Sequence, residues 1–310
     1  MIDVAAEVNR AFAQRDANMY GIVGGVSVGD DMTVAACGSW PTGEPAGATT
    51  TFYAASLTKQ LIGLLTAISV EAGDIALDDS LRTWLPSLPS WTTPITIGHL
   101  LHHTSGLPRE LPPLAGQRSD SSVLDAITRS NGPTSLPGSR FEYSNDGYVL
   151  LALALEQAMG APIEQLADQR IFAPLGMDSS SLDRATPVPV ADEPPPPATI
   201  GDGGWWTNIH DLLTLLHSLN FGAFGRASAR LLERGKLADG TSIDYSWGVR
   251  TTTIDGVLAA SHGGSWQRWQ SKTLRLPSRN IAVAIAGRTS DALAISDFGN
   301  DLAARAIRAR

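Results

Sequence analysis

A lysine at the mouth of a long apolar run limits more than anything else how this chain can fold. Ser56-Leu57-Thr58-Lys59 leads straight into Gln60-Leu61-Ile62-Gly63-Leu64-Leu65-Thr66-Ala67-Ile68-Ser69-Val70. A stretch this uniformly apolar reads as a helix set into a core, which puts Lys59 where burial is expected. Lysine is scarce here: Lys59, Lys236 and Lys272 are the whole supply within 23 lysines and arginines. Residues three apart share a helix face, so the Ser56 hydroxyl and the Lys59 amine can meet across one turn. A peptide lysine titrates near 10.4 and is a poor base at neutral pH, but burial disfavours its charged form. A lone S-x-x-K also occurs at ordinary helix starts whose lysine reaches back to solvent.

Two further stretches shift that balance. Phe141-Glu142-Tyr143-Ser144-Asn145-Asp146-Gly147-Tyr148 offers a tyrosine and an asparagine two apart, just before a helical run from Tyr148 to Met159. Far downstream, Ala260-Ser261-His262-Gly263-Gly264-Ser265-Trp266 ends an expected strand in glycines, which let another backbone or a ligand come close. With S-x-x-K, Y-x-N and H-x-G in this order, the chain resembles the penicillin-recognising serine hydrolases. The matching branch holds class C β-lactamases, D-alanyl-D-alanine carboxypeptidases, D-aminopeptidases and related esterases. The likeness runs through the connecting segments Ile95 to Pro108 and Gly201 to Leu212.

The resemblance implies roles residue by residue. Ser56 is the expected nucleophile, with Lys59 and Tyr143 sharing the proton transfers; which of them is the base stays open. Asn145 is expected to orient Lys59 or to hold a substrate carbonyl, its plain alternative being a helix cap. The backbone N–H groups of Ser56 and Ser265 are the expected oxyanion donors. His262, Gly264 and Ser265 complete the substrate-binding set. One departure matters: class C β-lactamases carry lysine and threonine where this chain has His262 and Gly263. A largely neutral imidazole is a weak grip for a β-lactam carboxylate, which places carboxylic ester hydrolysis first, D-peptidase or weak β-lactamase action second, and a non-turning-over penicillin-binding sensor third. Ester turnover is then expected to exceed nitrocefin turnover, unless Arg268 lies near enough to grip the carboxylate. Acyl transfer instead of hydrolysis stays open. Trp205, Trp206, Trp266 and Trp269 are candidates for an apolar acyl pocket or for ordinary core. No cofactor is expected, and the expected partner is a small ester, amide or β-lactam.

Two other patterns compete. Gly25-Val26-Ser27-Val28-Gly29 matches a nucleophile elbow, but Ser27 falls inside an apolar strand rather than at a strand-to-helix turn. His99, His102 and His103 suggest a metal site, yet no glutamate follows His99 as the zinc-protease pattern requires.

A chain of 310 residues suffices for one large domain. A net charge of −8 argues against nucleic acid, whose phosphates call for a basic footprint. Cys37, the single cysteine, rules out an internal disulfide and sits among small residues, as a buried apolar group would. No segment reaches the roughly 20 apolar residues of a membrane span, so no membrane partner is expected. Met1 to Arg10 lacks the basic start and apolar core of a secretory signal. A cytoplasmic location is expected, or a secreted or periplasmic one if a leader has been removed.

The expected fold class is α+β and β-lactamase/transpeptidase-like. A helix over Val4 to Arg15 and a hairpin of Tyr20 to Val28 and Met32 to Gly38 open it. A mostly helical stretch from Ser56 to about Leu232 follows. Strands return at Tyr245 to Thr252, Val257 to Ser261, Gln267 to Leu276 and Ile281 to Ala286, before a helix from about Asp291 to Arg308. An antiparallel sheet flanked by the terminal helices (about 1–60 and 240–310) would carry an inserted helical lobe (about 61–239). Ala185 to Thr199, rich in proline, reads as an extended polyproline loop.

Overall fold

A computed structural model describes residues 3–15, 21–40, 43–112, 117–184 and 194–309. The chain opens with α1 (Val4–Ala13), β1 (Ile22–Val28), β2 (Asp31–Cys37), β3 (Phe52–Tyr53) and α2 (Thr58–Ala72). A helical portion follows: α3 (Leu81–Trp84), α4 (Ile97–Leu101), α5 (Asp120–Arg129), α6 (Asn145–Met159), α7 (Ile163–Ala167) and α8 (Ala173–Leu175). Short strands β4 (Ser181–Leu182) and β5 (Trp205–Thr207) then lead into α9 (Ile209–Asn220) and α10 (Arg226–Arg230). The chain closes with β6 (Arg250–Ile254), β7 (Val257–Trp266), β8 (Trp269–Leu276), β9 (Ile281–Arg288) and α11 (Ala292–Arg308).

Among the described residues the main sheet has six antiparallel strands in the order β2-β1-β9-β8-β7-β6. The opening hairpin therefore pairs with the last strand, and both chain ends build one sheet. Strand β9 shows how each face is chosen. Its Ile281, Val283 and Ile285 pack with Val8, Phe12, Ile295 and Phe298 of the terminal helices, whereas Ala282, Ala284 and Ala286 belong to the other core with Leu212, Leu213 and Leu216 of α9. Alternation of two sends large side chains to one face and alanines to the other, which lets α9 lie close. The architecture is thus α+β, an antiparallel sheet flanked by terminal helices with helical structure inserted between its early and late strands.

Helix α2 is buried almost all round, from Thr58 to Ala67 without interruption, and ends at Gly73 in the left-handed conformation. Gly63 admits a neighbour there: a Cβ would stand 2.2 Å from the Trp247 carbonyl oxygen.

Three boundaries differ by three residues or more from the sequence expectation. Strand β7 does not stop at Ser261 but continues through its glycines to Trp266. Strand β6 begins only at Arg250, after a turn in which Tyr245 bridges to Arg250. Helix α6 begins three residues early, at Asn145, because Ser144 caps it by accepting from Gly147 N–H at 3.0 Å. Tyr20 and residues 185–193 of the proline-rich stretch lie outside the described residues. Among the described residues no helix is long and apolar enough to cross a membrane.

Candidate active site

Ser56 sits in a tight turn, Ala55–Leu57, immediately before α2. Ala55 has φ of 50°, a left-handed conformation that costs a residue with a Cβ about 1 kcal/mol or more. The strained turn is clamped from outside. Thr58 Oγ1 donates to the Ala55 carbonyl at 2.7 Å, and Ser271 Oγ on β8 donates to the Ala54 carbonyl at 3.2 Å. Ala54, Ala55 and Leu57 are buried while Ser56 is half-buried, so the turn presents its hydroxyl.

Strand β7 closes against this turn, and Gly264 is what permits it. A Cβ there would lie 2.2 Å from the Ala54 carbonyl oxygen and 2.3 Å from Ser271 Oγ. Strand β6 pairs only with Val257 to Ser261, so among the described residues the His262–Trp266 half of β7 has no strand on its β6 side. That free edge faces the Ser56 turn.

Lys59 is fully buried. Its Nζ lies 3.1 Å from Ser56 Oγ, 2.9 Å from Asn145 Oδ1 and 3.0 Å from the Asp202 carbonyl oxygen. Three acceptors match the three protons of an ammonium. Equally, two would hold the N–H groups of a neutral amine while its lone pair accepted the Ser56 proton. Asn145 is not the helix cap; it turns its oxygen to Lys59 and donates through Nδ2 to Glu110 Oε1.

The third acceptor of Lys59 is fixed by a buried ion network. Arg118 donates to Asp202 Oδ2 at 2.6 Å and to Asp146 Oδ1, and Thr199 Oγ1 donates to Asp202 Oδ1 at 2.7 Å. Burial alone would lower the Arg118 pKa, but the Asp202 and Asp146 carboxylates carry it above the ordinary guanidinium value. One arginine therefore ties the loop carrying the Asp202 carbonyl to the first turn of α6, beside Asn145.

Tyr143 is half-buried, with its ring centroid 5.0 Å from Lys59 Nζ. It leans on His103, ring to ring at 4.2 Å. His103 Nδ1 accepts from the Ser144 N–H at 3.1 Å, so a neutral ring carries its proton on Nε2. Burial, then the charge of Lys59, hold its pKa well below the usual value.

His262 is spent internally. The Gly263 carbonyl can only accept, so Nδ1, 2.7 Å from it, carries the proton; Nε2 then accepts from Tyr245 Oη at 3.2 Å. Burial first and Lys59 second push its pKa down to about 3. It is a neutral wall of the site with no nitrogen left for a ligand.

Ser56, Tyr143, His262 and Ser265 share a cleft of about 310 Å³. Arg109, Arg250 and Lys272 line it too, and sequence reasoning gave none of them a place in the site. Arg268, at the β7–β8 turn, is not among the lining residues, nor are the four tryptophans raised as an acyl pocket. Trp205 and Trp206 are core, and Trp269 packs on Trp40 at 5.3 Å.

The competing patterns go elsewhere. Ser27 is buried in β1 between Met32 and Ala282, away from any helix start. His99 completes a capping box with Thr96, and His102 lies edge-on to Trp247. Among the described residues no three histidine, cysteine or acidic side chains gather as a metal set. Cys37 is half-buried, its thiol pKa raised by burial.

Comparison with known proteins follows the same lines. A family model, Beta-lactamase, matches residues 8–306. The chain is 34% identical over 180 residues to the D-alanyl-D-alanine-carboxypeptidase/endopeptidase AmpH of Escherichia coli, a match covering 51% of this chain and 46% of that protein. It is also 34% identical over 189 residues to Esterase EstB of Burkholderia gladioli, covering 52% and 47%. In these alignments the chain spans about half the length of the curated relatives it matches. The D-amino acid amidase of Ochrobactrum anthropi superposes with a TM-score of 0.79 at 20% identity, over 99% of this chain and 97% of that one. At that identity the likeness is one of fold.

Proposed function

Because the chain belongs to the β-lactamase family of serine hydrolases, matched over residues 8–306, we propose that it cleaves small esters or amides through an acyl-enzyme on Ser56. The observation that carries this reading is Lys59 Nζ, buried and 3.1 Å from Ser56 Oγ, with its other contacts at Asn145 and Asp202.

Ser56 Oγ attacks the substrate carbonyl, and its proton passes to the Lys59 and Tyr143 pair. Negative charge on the carbonyl oxygen is met by the N–H groups of Ser56 and Ser265. The tetrahedral adduct collapses as the alcohol or amine leaves with the proton returned by that pair. Water then adds to the acyl carbon, gives its proton back through the same groups, and frees Ser56. Arg118, Glu110 and His103 touch no substrate in this scheme; they hold Asp202, Asn145 and Tyr143 in place.

Two of the reasons for ranking neutral esters first are weakened by the geometry. The tryptophans do not line the cleft, and cations do. Ester and amide substrates therefore stand level, and the relatives include both an esterase and a carboxypeptidase.

The test is a fluorophosphonate probe followed by adduct mapping, alongside p-nitrophenyl acetate turnover. Ser56 is the expected labelled residue, and Ser56→Ala is expected to lose both signals. A label on Ser27 or no label at all would sink the reading. An initial burst with no later turnover would mark a sensor domain instead.

A further inference from the structure

The main sheet ends in two edge strands, β2 and β6, and the chain treats them differently. On β6 the Thr251 N–H turns outward and donates to the Asp244 carbonyl at 3.1 Å, so the protein covers part of that edge itself. On β2 the two-residue turn at Gly29 and Asp30 makes Val28 and Asp31 a hydrogen-bonded pair, and the register with β1 then runs unbroken to Ile22 and Cys37. Backbone direction alternates along a strand. Asp31, Thr33, Ala35 and Cys37 therefore turn their N–H and C=O groups to β1, while Met32, Val34 and Ala36 turn theirs away from it. Among the described residues no hydrogen bond reaches those outward groups. Open edges are ordinarily blunted by a lysine, a proline or a bulge. Strand β2 has none of these: Met32 to Cys37 carries no charge and no proline, and every residue of the strand has a single partner on β1. Its two ends are charged in opposite senses. Asp30 and Asp31 stand exposed at its start, and Arg15, seated over the Phe298 ring, acts by its charge on Cys37 at its end.

We infer that a second copy of this chain pairs antiparallel along β2, about a two-fold axis at Val34, so that two six-stranded sheets join into one. In this register Val34 exchanges both backbone bonds with the partner's Val34, and Met32 exchanges both with the partner's Ala36. Every outward backbone group is then satisfied. The same register lays Asp31 beside the partner's Cys37 and the partner's Arg15, so each charged end meets its opposite, and the two-fold axis repeats that match at the other end. A strand with like charge at both ends would repel its own copy. Strands β1, β9 and β8 separate β2 from β7, so the pairing leaves the Ser56 cleft open.

Sedimentation equilibrium of the wild-type protein over a range of concentrations is expected to give twice the mass of the chain. Ala36→Pro removes an N–H that the fold does not use and blocks the edge, so it is expected to halve that mass while the circular dichroism stays that of the wild type. Asp31→Cys tests the register. Residue 31 and the partner's Cys37 form a non-hydrogen-bonded pair, whose Cα atoms stand about 4.5 Å apart, within the range a disulfide spans. Under mild oxidation this variant is expected to run as a covalent dimer on a non-reducing gel, and Asp31→Cys combined with Cys37→Ser as a single chain. A monomeric wild type, a folded Ala36→Pro that stays dimeric, or a dimer that Asp31→Cys does not link overturns the inference. Should Ala36→Pro fail to fold, the cross-link decides alone.

Discussion

The two walls of the cleft are built on opposite principles. On the α2 wall the groups around Lys59 hold one another: Lys59 has three acceptors, Asn145 is held by Lys59 and Glu110, and Asp202 by Arg118 and Thr199. On the β7 wall Lys272 and Arg250 line the cleft, and among the described residues neither cation has a hydrogen-bond acceptor. A closed network fixes groups that must be in place before substrate arrives, as proton transfer requires. An open set of charges is satisfied only by what binds. Under the proposed function, the contrast separates chemistry from recognition within one site.

The largest expected effect falls on the closed wall. Lys59→Ala and Tyr143→Phe should each lower kcat by about 10²–10⁴, the range for lost general acid–base catalysis. Acting as one unit, they should be far from additive. Kinetics of the double variant check this: a loss equal to the product of the single losses would show that the pair does not share the proton.

Arg118 comes next. Replacing it with methionine leaves Asp146 and Asp202 buried and unneutralised, so a loss of about 3–5 kcal/mol is expected in urea unfolding. The surviving folded protein should show reduced kcat with KM little changed, because the Asp202 carbonyl loses its anchor. A variant as stable and active as the wild type would break the link between this network and Lys59.

How far was this wall legible in the sequence? Asn145, 86 residues on from Lys59, was legible beside it only through the resemblance, whereas the meeting of Ser56 and Lys59 rests on a short spacing, i to i+3 on a helix, and local spacing survives folding. Gly264 was legible for the same reason: a glycine beside a motif signals close approach, and the Ala54 carbonyl is what approaches. The Asp202 carbonyl was not legible, since a backbone acceptor leaves no mark on residue type. The three cations were missed because they arrive from a loop, β6 and β8 and share no pattern; Lys272 stood out only as a rare lysine. His262, expected as a substrate-binding residue and a weak grip, does line the cleft, but that its second nitrogen is engaged was not legible, because the partner is Tyr245, 17 residues away. The expected end of β7 at Ser261 failed because its glycines serve the contact with the Ser56 turn rather than ending the strand.

A third effect is on pH. Burial holds His262 at about 3 and His102 at about 4, with His103 also well below its usual range. Unfolded imidazoles titrate near 6.5. Below that pH the unfolded chain takes up protons that the folded chain refuses, so stability falls with acidification until the folded values are reached. The slope is about 1.4 kcal/mol per pH unit for each such histidine. Asp120, Asp146 and Asp211, raised mainly by burial, act in the opposite sense near the bottom of that window. Urea midpoints should therefore drop between pH 7 and pH 5, and a flat profile would show that these rings take up protons in place.

The smallest expected effect is the one that tests the contrast most directly. Lys59→Met leaves three acceptors facing an apolar chain, Ser56 Oγ, Asn145 Oδ1 and the Asp202 carbonyl, and unpaired buried polar groups cost about 1–3 kcal/mol each. Lys272→Met leaves none, because among the described residues no hydrogen bond or ion pair answers its ammonium. It removes a half-buried charge that burial and Arg250 both disfavour, and methionine keeps the stem over Gly299. Its unfolding free energy should stay within about 1 kcal/mol of the wild type or rise slightly. A large loss of stability in Lys272→Met would mean that the β7 wall is closed by contacts of its own, and the division between a fixed catalytic wall and an open recognition wall would fail.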